Sequence, residues 1–326
     1  MHPAFSVIFL TTLIGMGQGL FLALYTEQVY AVIQVLPGRA DNVAFYGYGS
    51  AISVALLCLG LFASFFHLGR PERAWRSASQ WRTSWLSREV IVLPGFIFFV
   101  FIYGLVHLMK WDTVIVTIGA VNINASLILG FIATTLGILL FVATGMIYAC
   151  IRFLQEWHSP LTVINFLLLG MASGFTLATA FSMEFAPQLV TFYAAWAIVL
   201  TTVALITRTS SLIRNSHLKP RSSLQTAIGV RHSGIQQKAQ GSMGGSFNTR
   251  EYFHNASDSL FKSIKYVFLL LVFVIPILSL VISLYHPNQT QLLITVAIQY
   301  IGLLAERWFF FSQANHPQNI YYQTIS

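Results

Sequence analysis

Charge is scarce in this chain. Asp, Glu, Lys and Arg make up 9% of its 326 residues, against ~25% in soluble domains, so a protein wetted on all sides is excluded. Cysteine is as rare. Cys58 and Cys150 are the whole complement, too few thiolates for an iron–sulfur cluster, and both stand at apolar positions where they read as small hydrophobes. No phosphate-binding or dinucleotide-binding glycine pattern occurs. Nor does an acidic or basic residue fall near the middle of any apolar run, where ion-coupled transporters and proton pumps keep an ionisable group. A transporter is therefore disfavoured.

What is present is apolar length. Hydrophobic residues reach 56%, the mean hydropathy is +0.70, and the apolar residues fall in runs of roughly 20, enough for a helix to cross a bilayer. The runs lie at about 4–25, 44–67, 88–109, 126–149, 160–182, 187–207, 264–285 and 290–311. They predict an all-α integral membrane protein, eight transmembrane helices in a bundle. The start, MHPAFSV, has neither a basic region nor a small-residue cleavage site, so the first run reads as a retained span.

An even number of spans puts both termini on one side. Of the 18 Lys and Arg residues, all but Arg39 and Lys110 fall on that side. The positive-inside rule then makes it cytoplasmic, with both termini inside. The net charge of +8 is accordingly a topology signal. The expected organisation is a six-helix region at 1–207 that includes the loop 67–89, a cytoplasmic loop at 208–263, and the last two helices with the tail at 264–326. The 208–263 segment is rich in Ser, Gly, Gln and Arg, as a linker is. Its apolar and aromatic residues favour a docking surface, for which Arg231, His232 and Arg250 are candidates.

Small residues four apart, Gly15 and Gly19 with Gly17 between them in the first run and Gly170 and Gly174 in the fifth, predict close-packing helix faces. A ligand role for them is the lesser alternative. Pro94 and Pro276 can kink their spans. Gln18, Asn165 and Gln299 read as interhelical hydrogen-bond partners, and Glu27, Glu184 and Lys110 as solvated groups at the far border.

The polar chemistry is concentrated between the second and third runs, in HLGRPERAWRSASQWRTSWLSRE from His67 to Glu89. Gly69 and Pro71 favour a turn after His67. Arg70, Arg73 and Arg76 follow at intervals of three, and Trp81 and Trp85 at an interval of four, so a short interfacial helix would put each set on one face. Much of this is also what ordinary anchoring requires, with tryptophans at the interface and arginines on the inner side. His67 and Glu89 stand apart because both exchange protons and both border hydrocarbon, and Glu89 is expected to face back toward His67. Quinone chemistry needs such a group at the quinone oxygen, and histidine titrates nearest neutrality.

HLGRPERAW followed by SWLSRE, with the MHPAFSVIFLTT start and the GGSFNTREYFH segment, resembles the integral membrane anchor subunit of the dimethyl sulfoxide reductase family. The resemblance implies a quinone-reactive anchor in the bacterial inner membrane, with ubiquinone or menaquinone as its cofactor and no metal of its own. An iron–sulfur subunit and a molybdenum-cofactor catalytic subunit are the implied partners. His67 and Glu89 match the family's functional histidine and acid. Arg70, Arg73, Trp75 and Arg88 become candidates for the quinone site, and Arg76, Arg82 and Trp85 for partner docking. Because the motif loop falls on the basic side, the sequence is similar to the anchors of cytoplasm-facing sulfite dehydrogenases, which pass electrons from sulfite to quinone. Two alternatives stay open: a dimethyl sulfoxide reductase-type complex oxidising quinol, and a haem b cytochrome using His67 with His158 or His107 with His286.

Overall fold

Uninterrupted Leu, Ile, Val and Phe leave the backbone no partner in hydrocarbon but itself, so each apolar run closes its own hydrogen bonds as a helix. The computed structural model describes residues 1–35, 43–118, 121–236, 238, 254 and 256–321. Among the described residues, eight helices are long and apolar enough to cross a membrane. They are α1 (Phe5–Val32), α2 (Val43–Ser64), α3 (Trp85–Leu108), α4 (Ala125–Ala149), α5 (Pro160–Phe185), α6 (Val190–Ser216), α8 (Asp258–Tyr285) and α9 (Gln289–Ser312). A short helix, α7 (Leu224–Ile228), lies between α6 and α8 and ends at Gly229 with φ +72°.

Capping sets several helix starts. Ser84 Oγ accepts from the Ser87 amide at 3.4 Å to open α3. Ser159 caps α5 just before Pro160, whose missing N–H is no loss in a first turn. Asn288 Oδ1 accepts from the Gln291 amide at 3.1 Å to open α9. Between α3 and α4 a short antiparallel hairpin, β1 (Val114–Ile118) with β2 (Val121–Asn124), pairs Val116 with Ile123 and Thr117 with Asn122. An all-helical reading omits it. Asp112 ties it to α4, accepting from the Ser126 amide at 3.0 Å and from Asn124 Nδ2 at 2.9 Å.

The glycine faces pack as predicted. A Cβ on Gly19 would lie 2.2 Å from the Gly170 carbonyl oxygen, and one on Gly174 would lie 2.1 Å from the Gly19 carbonyl carbon. The α1 and α5 backbones therefore touch, and α1 becomes the central helix. The main core joins α1 to α6, with Phe21 edge-on to Phe96 and Tyr103. A second apolar cluster of Leu169, Ala204, Phe268, Phe273 and Phe309 seats α8 and α9 against α5 and α6.

Pro276 shapes α8. A proline ring collides with the carbonyl four residues earlier, which here belongs to Val272, and the helix widens into a π turn at Leu270–Val274. Gln299 Nε2 donates to the Val272 carbonyl at 3.3 Å, as the interhelical role predicted for that residue requires.

Several helices outlast the apolar runs that announce them. α1 continues past residue 25 to Val32, and α6 passes 207 to reach Ser216. Glu27 and Arg208, just past the ends of those runs, are thereby buried in the bundle, as are Glu306 and Arg307 within the eighth run. The reading of Glu27 as a solvated border group is overturned. The first and sixth apolar runs stop just short of a charge, whereas their helices continue because that charge finds a partner.

Candidate functional site

His67 ends a 3-10 turn, Phe65–His67, that closes α2, and it is exposed. Next to it α1 and α2 leave an apolar groove of about 340 Å³ walled by Ser6, Phe9, Leu59, Phe62 and Phe66. Phe62 and Phe66 meet edge to face at 5.3 Å. The groove opens outward, and His67, next in the chain after Phe66 of its wall, is not itself among the residues that line it.

The loop that follows is a 3-10 helix, Pro71–Gln80. In that geometry residues three apart eclipse, so Arg73 and Arg76 do share a face. Trp81 and Trp85 do not form the second stripe expected of them, because Trp81 follows the 3-10 helix and Trp85 begins α3. Arg70, Arg73, Trp75, Arg76 and Arg82 are all exposed, Trp75 at 71%. Arg76 lies over Trp75 at 5.5 Å and Arg82 over Trp81 at 5.3 Å. Arg88 differs from these. Its Nε donates to the Trp81 carbonyl at 3.0 Å, its Nη2 to the Arg82 carbonyl at 2.8 Å, and its guanidinium covers Trp85 at 4.1 Å. It braces the loop from within.

Glu89 points away from His67. Its carboxylate accepts from Thr144 Oγ1 on α4 and lines a small cavity with Gln18, Ser173 and Arg307, of which His67 is not a part. The cavity holds about 20 Å³, room for roughly one water. α1 divides the two spaces, turning Phe9 and Leu13 to the groove and Leu10, Thr11 and Gln18 to the cavity.

Behind the cavity lies a charge cluster that sequence reading missed. Arg208 Nε meets Glu306 Oε1 at 2.7 Å, and Arg307 Nη1 meets Glu306 Oε2 at 3.3 Å, all three side chains being buried. Arg307 also covers the Phe166 ring at 3.7 Å, and Tyr148 lies within electrostatic reach of both Glu89 and Arg307. The available signal is the adjacent pair Glu306 and Arg307 inside the eighth apolar run.

The opposite end of the bundle carries its own buried polar set. Tyr46 donates to Glu27 and stacks on His107 at 4.6 Å. Tyr103 donates to Gln28 at 2.8 Å, and Gln28 to Ser126 at 2.7 Å. Among the described residues, no three His, Cys, Asp or Glu side chains gather as a metal site would need.

Of the docking candidates in the 208–263 segment, Arg231 and His232 are exposed, and Arg250 lies outside the described residues. His254 stacks on Phe261 at 5.3 Å. Its burial, with help from the Met1 amine, holds the imidazole below the ordinary histidine value, while Asp258 opposes this.

The family described as DMSO reductase anchor subunit (DmsC) matches residues 1–313. A sulfite dehydrogenase subunit of Allochromatium vinosum is 55% identical over 327 aligned residues, covering 100% of both proteins. A component of the anaerobic dimethyl sulfoxide reductase of Haemophilus influenzae is 29% identical over 129 residues, 40% of this protein and 43% of that one. With the family match running from ahead of α1 to the end of α9, and eight apolar helices beneath it, this protein belongs to the DMSO reductase anchor subunits.

Proposed function

We propose that this protein holds an iron–sulfur subunit and a molybdenum catalytic subunit at the inner face of the bacterial inner membrane, and delivers their electrons to quinone beside His67 during sulfite oxidation. The observation that carries the proposal is the 55% identity, over full length, to a protein named as a sulfite dehydrogenase subunit. The Lys and Arg distribution supports the orientation, with both termini and the 208–263 segment cytoplasmic.

The residues present fit a quinone. An apolar groove with aromatic walls suits a lipid-borne ring and its tail, and the exposed His67, which follows Phe66 of its wall in sequence, supplies an imidazole suited to a carbonyl oxygen. Quinone, when bound, supplies the acceptor chemistry, taking up electrons and protons in equal number. His67 donates a hydrogen bond at the oxygen and passes a proton there. Glu89, inside the bundle, serves as the proton reserve behind it. Arg70, Arg73 and Trp75 form an exposed, electropositive edge toward the electron-delivering partner, Arg76 and Arg82 extend that edge, and Arg88 with Trp85 holds its shape.

The test is the purified complex, assayed for sulfite oxidation with quinone and, separately, with an artificial dye. His67→Ala should lose the quinone rate and keep the dye rate. Equal quinone rates in variant and parent would remove His67 from the site, and absence of copurifying molybdenum and iron–sulfur subunits would end the anchor reading. A reporter fused after Ser326 should be active only in the cytoplasm. The partial likeness to a dimethyl sulfoxide reductase component keeps one second reading, quinol oxidation, for which dimethyl sulfoxide in place of sulfite is the discriminating substrate.

A further inference from the structure

A cavity of about 760 Å³ lies between three segments far apart in the sequence. They are the α4–α5 turn with Arg152 and Phe153, the end of α6 with the stretch up to Leu224, and the stretch after α9 from Asn315 to Ile320. Two spans separate each of these segments from the next, and two separate the α4–α5 turn from the His67–Glu89 loop. All four therefore share one side of the membrane.

Ties between the segments hold the cavity open. Arg214 Nη2 donates to the Gln155 and His158 carbonyls, both at 3.1 Å, and Asn215 Nδ2 donates to the Glu156 carbonyl at 3.3 Å. Asn315 Nδ2 donates to Glu156 Oε1 at 3.2 Å, and His316 meets the Phe153 ring edge to face at 5.4 Å. A space framed in this way is preformed.

Its charge is unbalanced. Arg152, Lys219 and Arg221 line the cavity from exposed positions, and Glu156, already engaged by Asn315, is the one carboxylate residue among its walls. Among the described residues, none of the three cations takes part in an ion pair. The positive-inside rule accounts for basic residues on this face, but not for their convergence from separate segments on one walled space. The volume falls within the ~300–1,000 Å³ of ligand pockets, far more than a bare inorganic anion fills. Gln155, Asn215, Ser222 and Ser223 make the walls largely polar, which suits a peptide backbone rather than an acyl chain.

We propose that this cavity is a docking socket for an acidic stretch of a partner subunit, whose carboxylates pair with Arg152, Lys219 and Arg221. Guanidinium–carboxylate pairs fix geometry as well as add attraction, and Phe153, 55% exposed, offers an apolar wall beside them. The proposal rests on the reading that the partner subunits cover this face. It gives them a second attachment, separate from the arginines of the His67–Glu89 loop.

The test uses the intact complex, with p-benzoylphenylalanine in place of Ser222 for photo-crosslinking and mass spectrometry to identify the captured peptide. The peptide should come from the iron–sulfur or molybdenum subunit and be rich in Asp and Glu. In parallel, the anchor carrying Arg152→Glu, Lys219→Glu and Arg221→Glu together should release those subunits roughly tenfold more readily, as reversal of several ion pairs predicts. Lys262→Glu, exposed outside the cavity, should release them as the parent does, and size-exclusion chromatography confirms that each anchor is folded. Reversing the acidic residues of the captured peptide to Lys should restore retention by the triple variant. Crosslinks to lipid or to another part of this chain, or release from the triple variant that matches Lys262→Glu, would overturn the socket. The anchor reading survives that outcome as long as the partner subunits copurify with the parent, and falls with the socket if they do not.

Discussion

Arg208 and Glu306 meet at 2.7 Å inside the bundle, each side chain 1% exposed, and they join α6 to the last helix. In a bundle held mainly by packing of apolar surface, this contact is one of few that fixes which helix faces which. It also explains how the hairpin of α8 and α9 keeps its register against the first six helices.

Removing one partner from a buried pair costs about 3–5 kcal/mol, because the other charge is stranded. Glu306→Ala strands two cations, whereas Arg208→Met leaves Glu306 still paired with Arg307. Thermal unfolding of the detergent-solubilised complex should therefore rank the parent above Arg208→Met, and Arg208→Met above Glu306→Ala. The reverse order for the two variants would show that Arg307 does not hold Glu306 by itself.

The crossing of α1 with α5 leaves no room for a methyl group. Gly19→Ala would set a Cβ 2.2 Å from the Gly170 carbonyl oxygen, while Gly69→Ala meets nothing within 4 Å. Overpacking of this kind costs about 1–3 kcal/mol where neighbours can shift, and the neighbour here is backbone. Folded yield should fall sharply for Gly19→Ala and hold for Gly69→Ala, as read by size-exclusion chromatography.

Tyr46→Phe deletes the hydroxyl that Glu27 accepts from at the far end of the bundle. A buried carboxylate losing a donor costs about 1–3 kcal/mol. Tyr48→Phe, on the exposed side of the same helix, serves as control. Denaturation midpoints that fall equally for both would contradict the importance of the Glu27 contact.

Arg88→Ala should loosen the 3-10 segment, because the loop carbonyls of Trp81 and Arg82 lose their donor and Trp85 its cover. Limited proteolysis in residues 70–84 should speed up severalfold. Arg70→Ala, exposed at the start of the loop, should leave cleavage unchanged, and a similar rise there would remove the special place of Arg88.

The eight spans and the glycine crossing are legible in the sequence because each rests on a local rule, apolar length in one case and spacing of small residues in the other. Glu27 reads wrongly as solvated because its apolar run stops at Tyr25, and nothing local reveals that Tyr46 lies waiting on the next helix. Arg208 misleads for the same reason, its partner being far along the sequence on α9. Within the candidate site, the sequence brings His67 and Glu89 to one border of the membrane but not to one space. A helix start determines depth, whereas the direction of a side chain depends on which neighbours pack around it, here Thr144 and Arg307.

The central place of α1 has a consequence for how the protein is made. Of the eight spans it is the most enclosed, 78% buried, and it is the first of them to leave the ribosome. Its closest neighbour across the glycine crossing, α5, emerges only after three other spans. Glu27 gains its Tyr46 partner only with α2, and Gln18 and Gln28 gain Gly137 and Ser126 only with α4. The newborn protein thus passes through a stage in which its central helix is its least protected, and its early survival depends on how quickly the following spans arrive.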